Sequence, residues 1–301
     1  MAAVVLYASF LAQLAAAPHP TASYVPERVY DTRRAAFADF ESMLAELAHT
    51  DVVLVGEQHD DPNTHRLESA MLQGLARRRV AVTLSLEMFE RDVQPALDSY
   101  LAGSISEKEF LERARPWPRY ATDYRPLVEI ARAQGWRVIA ANVPRRHASA
   151  VAKAGLGALD GLDAAERRSA ARDLQCPFDA YFDRFADTMK DHPAGPGGEA
   201  SADAQRARNE RYYFSQCVKD ETMAESLAAA IAGRPEGAGP IVHFTGAFHS
   251  DFGAGTTSRA RRRLEGRRVT AVSILAVENL DTLAPDAHEL ERAEYLVYTI
   301  K

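Results

Sequence analysis

The sequence is poor in cysteine: its 301 residues include only Cys176 and Cys217. Neither lies in a context that supports a thiolate catalyst, so cysteine catalysis is not expected. The pair could form a structural disulfide in an exported protein or remain as two buried thiols in a cytoplasmic one. No cysteine lies near the apolar N-terminal stretch, so the sequence does not predict a diacylglyceryl anchor there.

Several common signature motifs are also absent. The sequence has no HExxH helix, no GxSxG elbow, no P-loop and no GxGxxG loop. These absences argue against the common hydrolase and nucleotide-binding classes. The net charge of −6 and the isoelectric point near 5.9 argue against a nucleic-acid partner. The two short basic runs, "RRR" at 77–79 and "RARRR" at 259–263, are more typical of solvated helix faces.

The N-terminus lacks charge. Residues 1–17, "MAAVVLYASFLAQLAAA", contain no ionisable side chain apart from one tyrosine, and "PHP" follows. The run is shorter than the roughly 20 apolar residues that a spanning helix needs. It resembles a secretory signal with a cleavage site near Ala15–Ala17. We therefore expect a leader over residues 1–20 and export to the periplasm or outer membrane; a packed N-terminal helix is the alternative.

The rest of the chain alternates between strand and helix patterns. Continuous apolar runs at 51–56, 80–89, 136–143, 240–250 and 268–277 predict strands that are buried on both faces. Short strands are expected at 28–32 and 295–300. Residues 156–234 contain no convincing strand. This pattern predicts an α/β fold over residues 28–301: an open, mostly parallel central sheet flanked by helices, with a helical insertion at about 156–234.

Charged and imidazole side chains follow four of the predicted strands. Because ligands bind outside the carboxyl ends of strands in open α/β sheets, these side chains are expected to share one edge of the sheet. The residues concerned are Glu57 and His59, Glu87 and Glu90, Asn142 with Arg145, Arg146 and His147, and His249 with Asp251. His243 lies within a strand and is interpreted as a core histidine.

Two chemistries fit the candidate catalytic set of Glu57, His59, Glu87 and His249. In the first, His59, His249 and Glu87 hold a divalent metal ion, and another glutamate acts as a general base on a metal-bound water. In the second, the glutamates and histidines perform acid–base catalysis directly. Both chemistries predict a hydrolase, either a peptidase or an esterase.

Five stretches together resemble one known family. "VVLVGEQHDDPNTH", "LSLEMFERDVQ", "DYRPLVEIARAQGWRVIAANVPRR", "KDETMAESLA" and "FTGAFHSDFG" occur in the order found in ChaN-type haem-binding lipoproteins. These proteins belong to a superfamily that also contains the Tiki and TraB proteins and the erythromycin esterases. The resemblance spans roughly residues 29–300. It implies a single ChaN-like α/β domain, haem binding linked to iron uptake at the cell envelope, and a hydrolase-like site on the motifs that carry Glu57, His59, Glu87 and His249.

The resemblance also implies a haem site. Haem is expected at a homodimer interface, with possible partners among envelope iron-transport components. In many relatives a tyrosine follows the two arginines, whereas this chain has His147, and imidazole and phenolate both ligate haem iron. His147 is therefore the expected axial ligand, with Arg145 and Arg146 on the propionates. The other axial candidates are Tyr120, Tyr124, Tyr181, Tyr212 and Tyr213.

Overall fold

The structure is a computed structural model that describes residues 25–78, 81–191, 201–235 and 237–301. The expected leader at residues 1–20 lies outside the described residues. The strands, in chain order, are β1 Glu27–Asp31, β2 Ala36–Ala38, β3 Val52–Glu57, β4 Thr83–Glu90, β5 Val138–Asn142, β6 Ile241–Gly246, β7 Val269–Val277 and β8 Tyr295–Ile300.

Helices connect these strands. They are α1 Phe40–Leu47, α2 Pro62–Ala76, α3 Gln94–Leu101, α4 Glu107–Ala114, α5 Arg125–Ala133, α6 Arg145–Ala154, α7 Ala164–Arg167, α8 Ala180–Thr188, α9 Ala202–Ala232, α10 Ala247–Ser250, α11 Gly255–Arg263 and α12 Ala287–Leu290. Short 3₁₀ segments lie at Arg91–Val93, Leu156–Leu159, Met189–Asp191 and Asp251–Gly253, and a π-helical turn at Tyr120–Tyr124 leads into α5. No helix among the described residues is long and apolar enough to cross a bilayer.

The strands form one sheet in the order β2-β1-β8-β7-β3-β6-β4-β5. The six strands from β8 to β5 are parallel, while β1 pairs antiparallel with both β2 and β8. The predicted fold class, an open and mostly parallel sheet flanked by helices, is confirmed. The short strand β2 is not among the predicted strands; its three residues pair antiparallel with β1 just before α1 begins.

The central strand β3 explains why the sheet is buried on both faces. Val53 and Val55 pack into a core shared with α1 to α5, whereas Val52 and Leu54 pack on the opposite face against α9 and α11. Successive side chains of a strand point to opposite faces, so a continuous apolar run lets β3 carry helices on both sides. The exposed edge of the sheet is also protected, because the Gln94 side chain hydrogen-bonds the backbone of β5.

The predicted helical insertion packs directly on one face of the sheet, together with α6 and α11. Between residues 156 and 234 the described residues form α7, α8 and most of α9, without a strand. Helix α9 packs against α6, α11 and β5, and contributes Met223 and Leu227 to the core beneath the sheet. Cys176 and Cys217 form a disulfide that ties the segment before α8 to α9. Of the two alternatives for this pair, a structural disulfide or two buried thiols, the structure therefore has the disulfide.

Gly56 generates a testable prediction. A Cβ at Gly56 would lie 2.3 Å from the Ser250 side-chain oxygen and 3.0 Å from the Ala247 Cα. We expect Gly56→Ala to lower the free energy of unfolding by about 1–3 kcal/mol, because α10 must move away from β3. Urea unfolding measures the change. Gly161→Ala is the control, since a Cβ there meets nothing within 4 Å; equal losses in both variants would refute the close-contact explanation.

Candidate functional site

Three neighbouring strands bring the candidate residues together. Strands β3, β6 and β4 are adjacent and parallel, so their carboxyl ends lie at one edge of the sheet. Glu57 ends β3, Glu87 lies near the end of β4, and His249 follows β6 on the short helix α10. The expected convergence of these side chains is therefore seen in the structure.

The side chains line a cavity of about 840 Å³, a volume typical of small-molecule sites. Its polar wall contains Glu57, His59, Glu87, His249 and Asp251. Its apolar wall is formed by Trp117, Phe185, Met189, Phe248 and Phe252, and its cationic groups are Arg184, Lys219 and Arg292. His288 completes the opposite side. The cavity thus combines aromatic surfaces with charges of both signs.

The first histidine–carboxylate pair is formed by His59 and Glu57. The Glu57 side chain is buried, and its Oε1 contacts His59 Nδ1 and accepts a hydrogen bond from the Tyr124 hydroxyl at 2.9 Å. Burial of His59 opposes its imidazolium form, but the contact with Glu57 and its charge outweigh burial and raise the pKa of His59. The other ring nitrogen, Nε2, lies against Gly246, where a Cβ would approach to 2.6 Å. Gly246 therefore gives the imidazole its space.

The second pair is formed by His249 and Asp220. His249 Nδ1 lies 2.8 Å from Asp220 Oδ1, and its Nε2 lies 3.7 Å from Glu87 Oε1. Burial lowers the basicity of His249, but the two carboxylates outweigh burial and raise the pKa of His249. Asp220 is held in turn by the hydroxyls of Tyr181 and Thr256. The ring is therefore fixed between two carboxylates.

Glu87 is a buried carboxylate that remains ionised. Burial raises its pKa, but the charges of His249 and His59 and a hydrogen bond from Thr245 lower the pKa of Glu87 to about 2. Its Oε2 also accepts the backbone N–H of Gly246 at 2.9 Å. Thr245 and Gly246 both lie at the end of β6, so the sheet itself supplies the hydrogen-bond donors that stabilise the charge of Glu87.

The cationic side of the cavity is built around Phe252. This residue has a left-handed backbone, with φ of 62°, and its ring lies under Arg184 and near Arg292. Arg292 forms an ion pair with Asp251 at 2.7 Å, and Arg184 donates to the carbonyl oxygens of Phe248 and Asp251. Lys219 donates to Gln216 and has no carboxylate within ion-pair distance among the described residues.

The expected haem ligands lie elsewhere. His147 is 2% exposed at the start of α6, and its Nε2 has no hydrogen-bond partner in the described part of the chain. Arg146 pairs with Asp92, and the Arg145 backbone N–H donates to Glu90. None of Arg145, Arg146 and His147 lines the cavity. His147 is thus buried in this conformation, and its role as a haem ligand stays a prediction.

Two further sequence expectations can be compared with the structure. The expected metal set of His59, His249 and Glu87 lines one cavity, but across the described ranges these atoms do not form a compact group of three ligands. Of the five tyrosines considered, only Tyr212 is largely exposed; Tyr120, Tyr124, Tyr181 and Tyr213 are buried.

Sequence reasoning missed several groups of this site. Asp220 was quoted only within a motif, although its burial in the middle of α9 beside the equally buried Glu221 marks it as unusual. No sequence feature indicated that Lys219, Arg184, Arg292 and His288 belong to the cavity wall. Tyr124 was considered only as a haem ligand, whereas its hydroxyl donates to Glu57 behind the wall. These residues come from helices and loops, which the strand-end rule does not address.

Comparison with known proteins places this open α/β fold, with its cavity at the strand ends, in a known group. The family model described as "Haem-binding uptake, Tiki superfamily, ChaN" matches residues 43–260. The chain belongs to this family, as the sequence resemblance predicted. A search of the curated proteins gave no match.

The chain is similar to several solved structures. A structure described as cofacial haem binding to ChaN of Campylobacter jejuni aligns with a TM-score of 0.63 and 15% identity, covering 91% of this chain and 97% of that one. An erythromycin esterase variant in its open conformation aligns with a TM-score of 0.46 and 13% identity, over 91% of this chain and 83% of that chain. The RRSP effector domain of a toxin from Vibrio vulnificus gives 0.40 and 18%, over 79% and 36%.

The core histidine behind Glu87 generates a pH prediction. His243 is fully buried, its Nδ1 lies 2.9 Å from the Ser85 hydroxyl, and burial lowers the pKa of His243 to about 4. Between pH 6.5 and 4 the unfolded chain binds a proton that the folded chain excludes. Stability should therefore be complete above pH 6.5 and fall by about 3 kcal/mol towards pH 4.

Chemical unfolding at several pH values tests this expectation. The pH dependence of the unfolding free energy should be weaker in His243→Gln than in the wild type by that amount. The exposed His49→Gln should keep the wild-type dependence. Parallel pH curves for the wild type and His243→Gln would contradict the assignment.

Proposed function

We propose that this protein binds haem in the cavity at the carboxyl ends of β3, β6 and β4. The observation that carries the proposal is the composition of this cavity: aromatic walls, an imidazole and cationic groups within one space of about 840 Å³. Haem is a flat apolar ring with two carboxylates and an iron that accepts imidazole. Membership of a family described as haem-binding supports the same ligand.

His59 is the axial ligand that best fits this cavity. Its Nδ1 contacts the Glu57 carboxylate, and its Nε2 has no hydrogen-bond partner among the described residues. A carboxylate on one ring nitrogen fixes the tautomer and makes the other nitrogen a stronger ligand. Lys219 has no carboxylate partner within the described ranges and is the group best placed to receive a propionate. When bound, haem would supply an iron centre for transport or storage.

The family description, which names haem-binding uptake, supports a finer proposal about the physiological role. We propose that the protein is exported, works in the periplasm or at the outer membrane, and takes part in haem and iron uptake. A haem-dependent homodimer is the proposed assembly. Size-exclusion chromatography with and without haemin tests the assembly, since a shift to twice the mass is expected only in the presence of haemin.

Haemin titration tests the binding site. The wild type should give a saturable shift of the Soret band, and His59→Ala should weaken binding on the order of tenfold, equivalent to about 1.4 kcal/mol. Lys219→Gln should weaken binding with an unchanged Soret position, because it alters no iron ligand. His147→Ala is the comparison for the ligand expected from the sequence. Loss of the shift in His147→Ala but not in His59→Ala would place the haem outside this cavity.

A second candidate function is hydrolysis of an ester or peptide bond. The specific observation is that two histidine–carboxylate pairs, His59 with Glu57 and His249 with Asp220, face the same cavity. A carboxylate that orients an imidazole is the arrangement of a general base that activates water. The ionised Glu87 would stabilise the imidazolium of His249 after proton transfer.

A panel of ester and peptide substrates tests this second function. Glu57→Gln should lower turnover by about 10²–10⁴-fold, as expected for the loss of a positioned acid–base pair. Glu90→Gln is the matched control. Glu90 ends β4 as Glu57 ends β3, but it contacts Arg115 and does not line the cavity. Equal rates for Glu57→Gln and the wild type on every substrate would exclude the hydrolytic role.

A further inference from the structure

A second group of ionisable side chains lies behind Glu57, away from the cavity. His65 and Glu68 are three residues apart on α2 and therefore share one face of that helix. Together with Glu57 they form a cluster in which every side chain is at most 4% exposed. One ligand atom from each residue lies within 4.8 Å of the others. We refer to Glu57, His65 and Glu68 as the buried triad.

The position of α2 follows from its start. Asp61 caps the helix, with its side chain accepting the backbone N–H groups of Asn63 and Thr64, and Pro62 takes the first helical position. The cap lies only four residues after the end of β3, so the first turns of α2 are held beside Glu57. His65 and Glu68 occupy the inner face of these turns.

The hydrogen bonds of His65 define which nitrogen is available. Its Nε2 lies 3.2 Å from the carbonyl oxygen of His59, an acceptor that requires a hydrogen on Nε2. Its Nδ1 lies 3.0 Å from Glu68 Oε2 and 3.8 Å from Glu57 Oε2. A histidine that donates one ring N–H to a carbonyl while its other nitrogen faces carboxylates has the orientation of a metal ligand.

The two carboxylates leave acceptor atoms without donors. Glu57 Oε1 contacts Tyr124 and His59, but in the part of the chain that the structure describes neither Glu57 Oε2 nor Glu68 Oε1 has a hydrogen-bond partner. A buried carboxylate oxygen without a partner is costly. Either shared protons or a cation must therefore lie among these oxygens.

The surrounding charge favours a cation. Asp123 Oδ2 lies 3.5 Å from His65 Nε2 and adds a further carboxylate. No lysine or arginine of the described chain lies within ion-pair distance of Glu57 or Glu68; the nearest basic group in this network, Arg119, is paired with Asp123. A separate cavity beside α2 is lined by His65 and Asp123, so an ion would approach the triad from the His65 side.

We propose that the buried triad of Glu57, His65 and Glu68 binds a divalent transition-metal ion. Two carboxylate oxygens and one imidazole nitrogen suit Zn²⁺ or Mn²⁺. Ligands about 2.1 Å from such an ion lie about 3.4 Å apart in tetrahedral geometry. The distance from His65 Nδ1 to Glu68 Oε2, 3.0 Å, would therefore have to increase slightly, and the distance to Glu57 Oε2, 3.8 Å, would have to decrease slightly. This site differs from the set His59, His249 and Glu87, and the proposal does not rest on haem binding or on hydrolysis.

The triad also affects the cavity through Glu57. Its Oε2 faces the proposed metal ion, while its Oε1 contacts His59. An ion at the triad would fix the Glu57 carboxylate and withdraw electron density from it. His59 would then be held in place by a less basic partner. Glu57 is therefore the positioning residue through which an ion at the triad would affect His59 in the cavity.

Metal analysis of the full chain tests the proposal. Protein dialysed against EDTA, reloaded with Zn²⁺ or Mn²⁺ and desalted should retain one ion per chain by mass spectrometry of the metal. The melting temperature should rise with metal concentration and should fall back to the value of the metal-free protein when EDTA is added. Glu68→Gln should abolish both effects, because the amide keeps the size of the side chain but loses its charge.

Glu87→Gln is the matched control, since Glu87 is an equally buried carboxylate that lies in the cavity. It should retain the ion. Loss of the ion in Glu87→Gln but not in Glu68→Gln would overturn the proposal in favour of the cavity set, and a wild type that retains no ion would overturn it outright. If Glu68→Gln does not fold, as judged by near-ultraviolet circular dichroism, His65→Gln replaces it with the same expected loss.

Discussion

The carboxylate of Glu57, buried at the end of the central strand, connects the main features of this protein. One oxygen contacts His59 and Tyr124 at the cavity, and the other faces His65 and Glu68 behind it. Burial of a carboxylate is costly unless polar groups compensate it, and here Tyr124 and His59 do so for Oε1, whereas Oε2 has no hydrogen-bond partner among the described residues. Gly56 makes the position possible, since a side chain there would collide with α10. The geometry of the strand end therefore determines the chemistry of both sites.

Haem binding and hydrolysis would make different use of the same cavity. A bound haem needs the apolar walls and an imidazole whose nitrogen reaches the iron, whereas hydrolysis needs water beside His59 or His249. Each of these histidines is held in place by a carboxylate, an arrangement that suits a metal ligand and a general base equally well. The feature that separates the two functions is the aromatic lining, because flat apolar surfaces favour a large planar ligand over water.

The sequence predicts this fold and the core of the site, but not all of its members. Continuous apolar runs predict the parallel strands, and the strand-end rule then identifies Glu57, Glu87 and His249 without further detail. The rule gives the edge of the sheet but not the direction of a side chain. His147 illustrates the limit: it follows β5, yet the first turn of α6 directs it into the interior. Asp220 escapes the rule because it reaches the site from a long helix.

The buried carboxylates of this protein are stabilised in contrasting ways. Asp251 pairs with Arg292, and Glu221 is surrounded by Arg259, Arg262 and Arg263. Glu87 and Asp220 are stabilised by His249 together with hydroxyl groups. Glu57 and Glu68 share one histidine, and each keeps an oxygen without a donor. Asp251 and Asp123 each also keep an oxygen without a hydrogen-bond partner, but each forms an ion pair with an arginine. Glu57 and Glu68 have no such arginine among the described residues, and the proposed cation would supply the positive charge that this pair lacks.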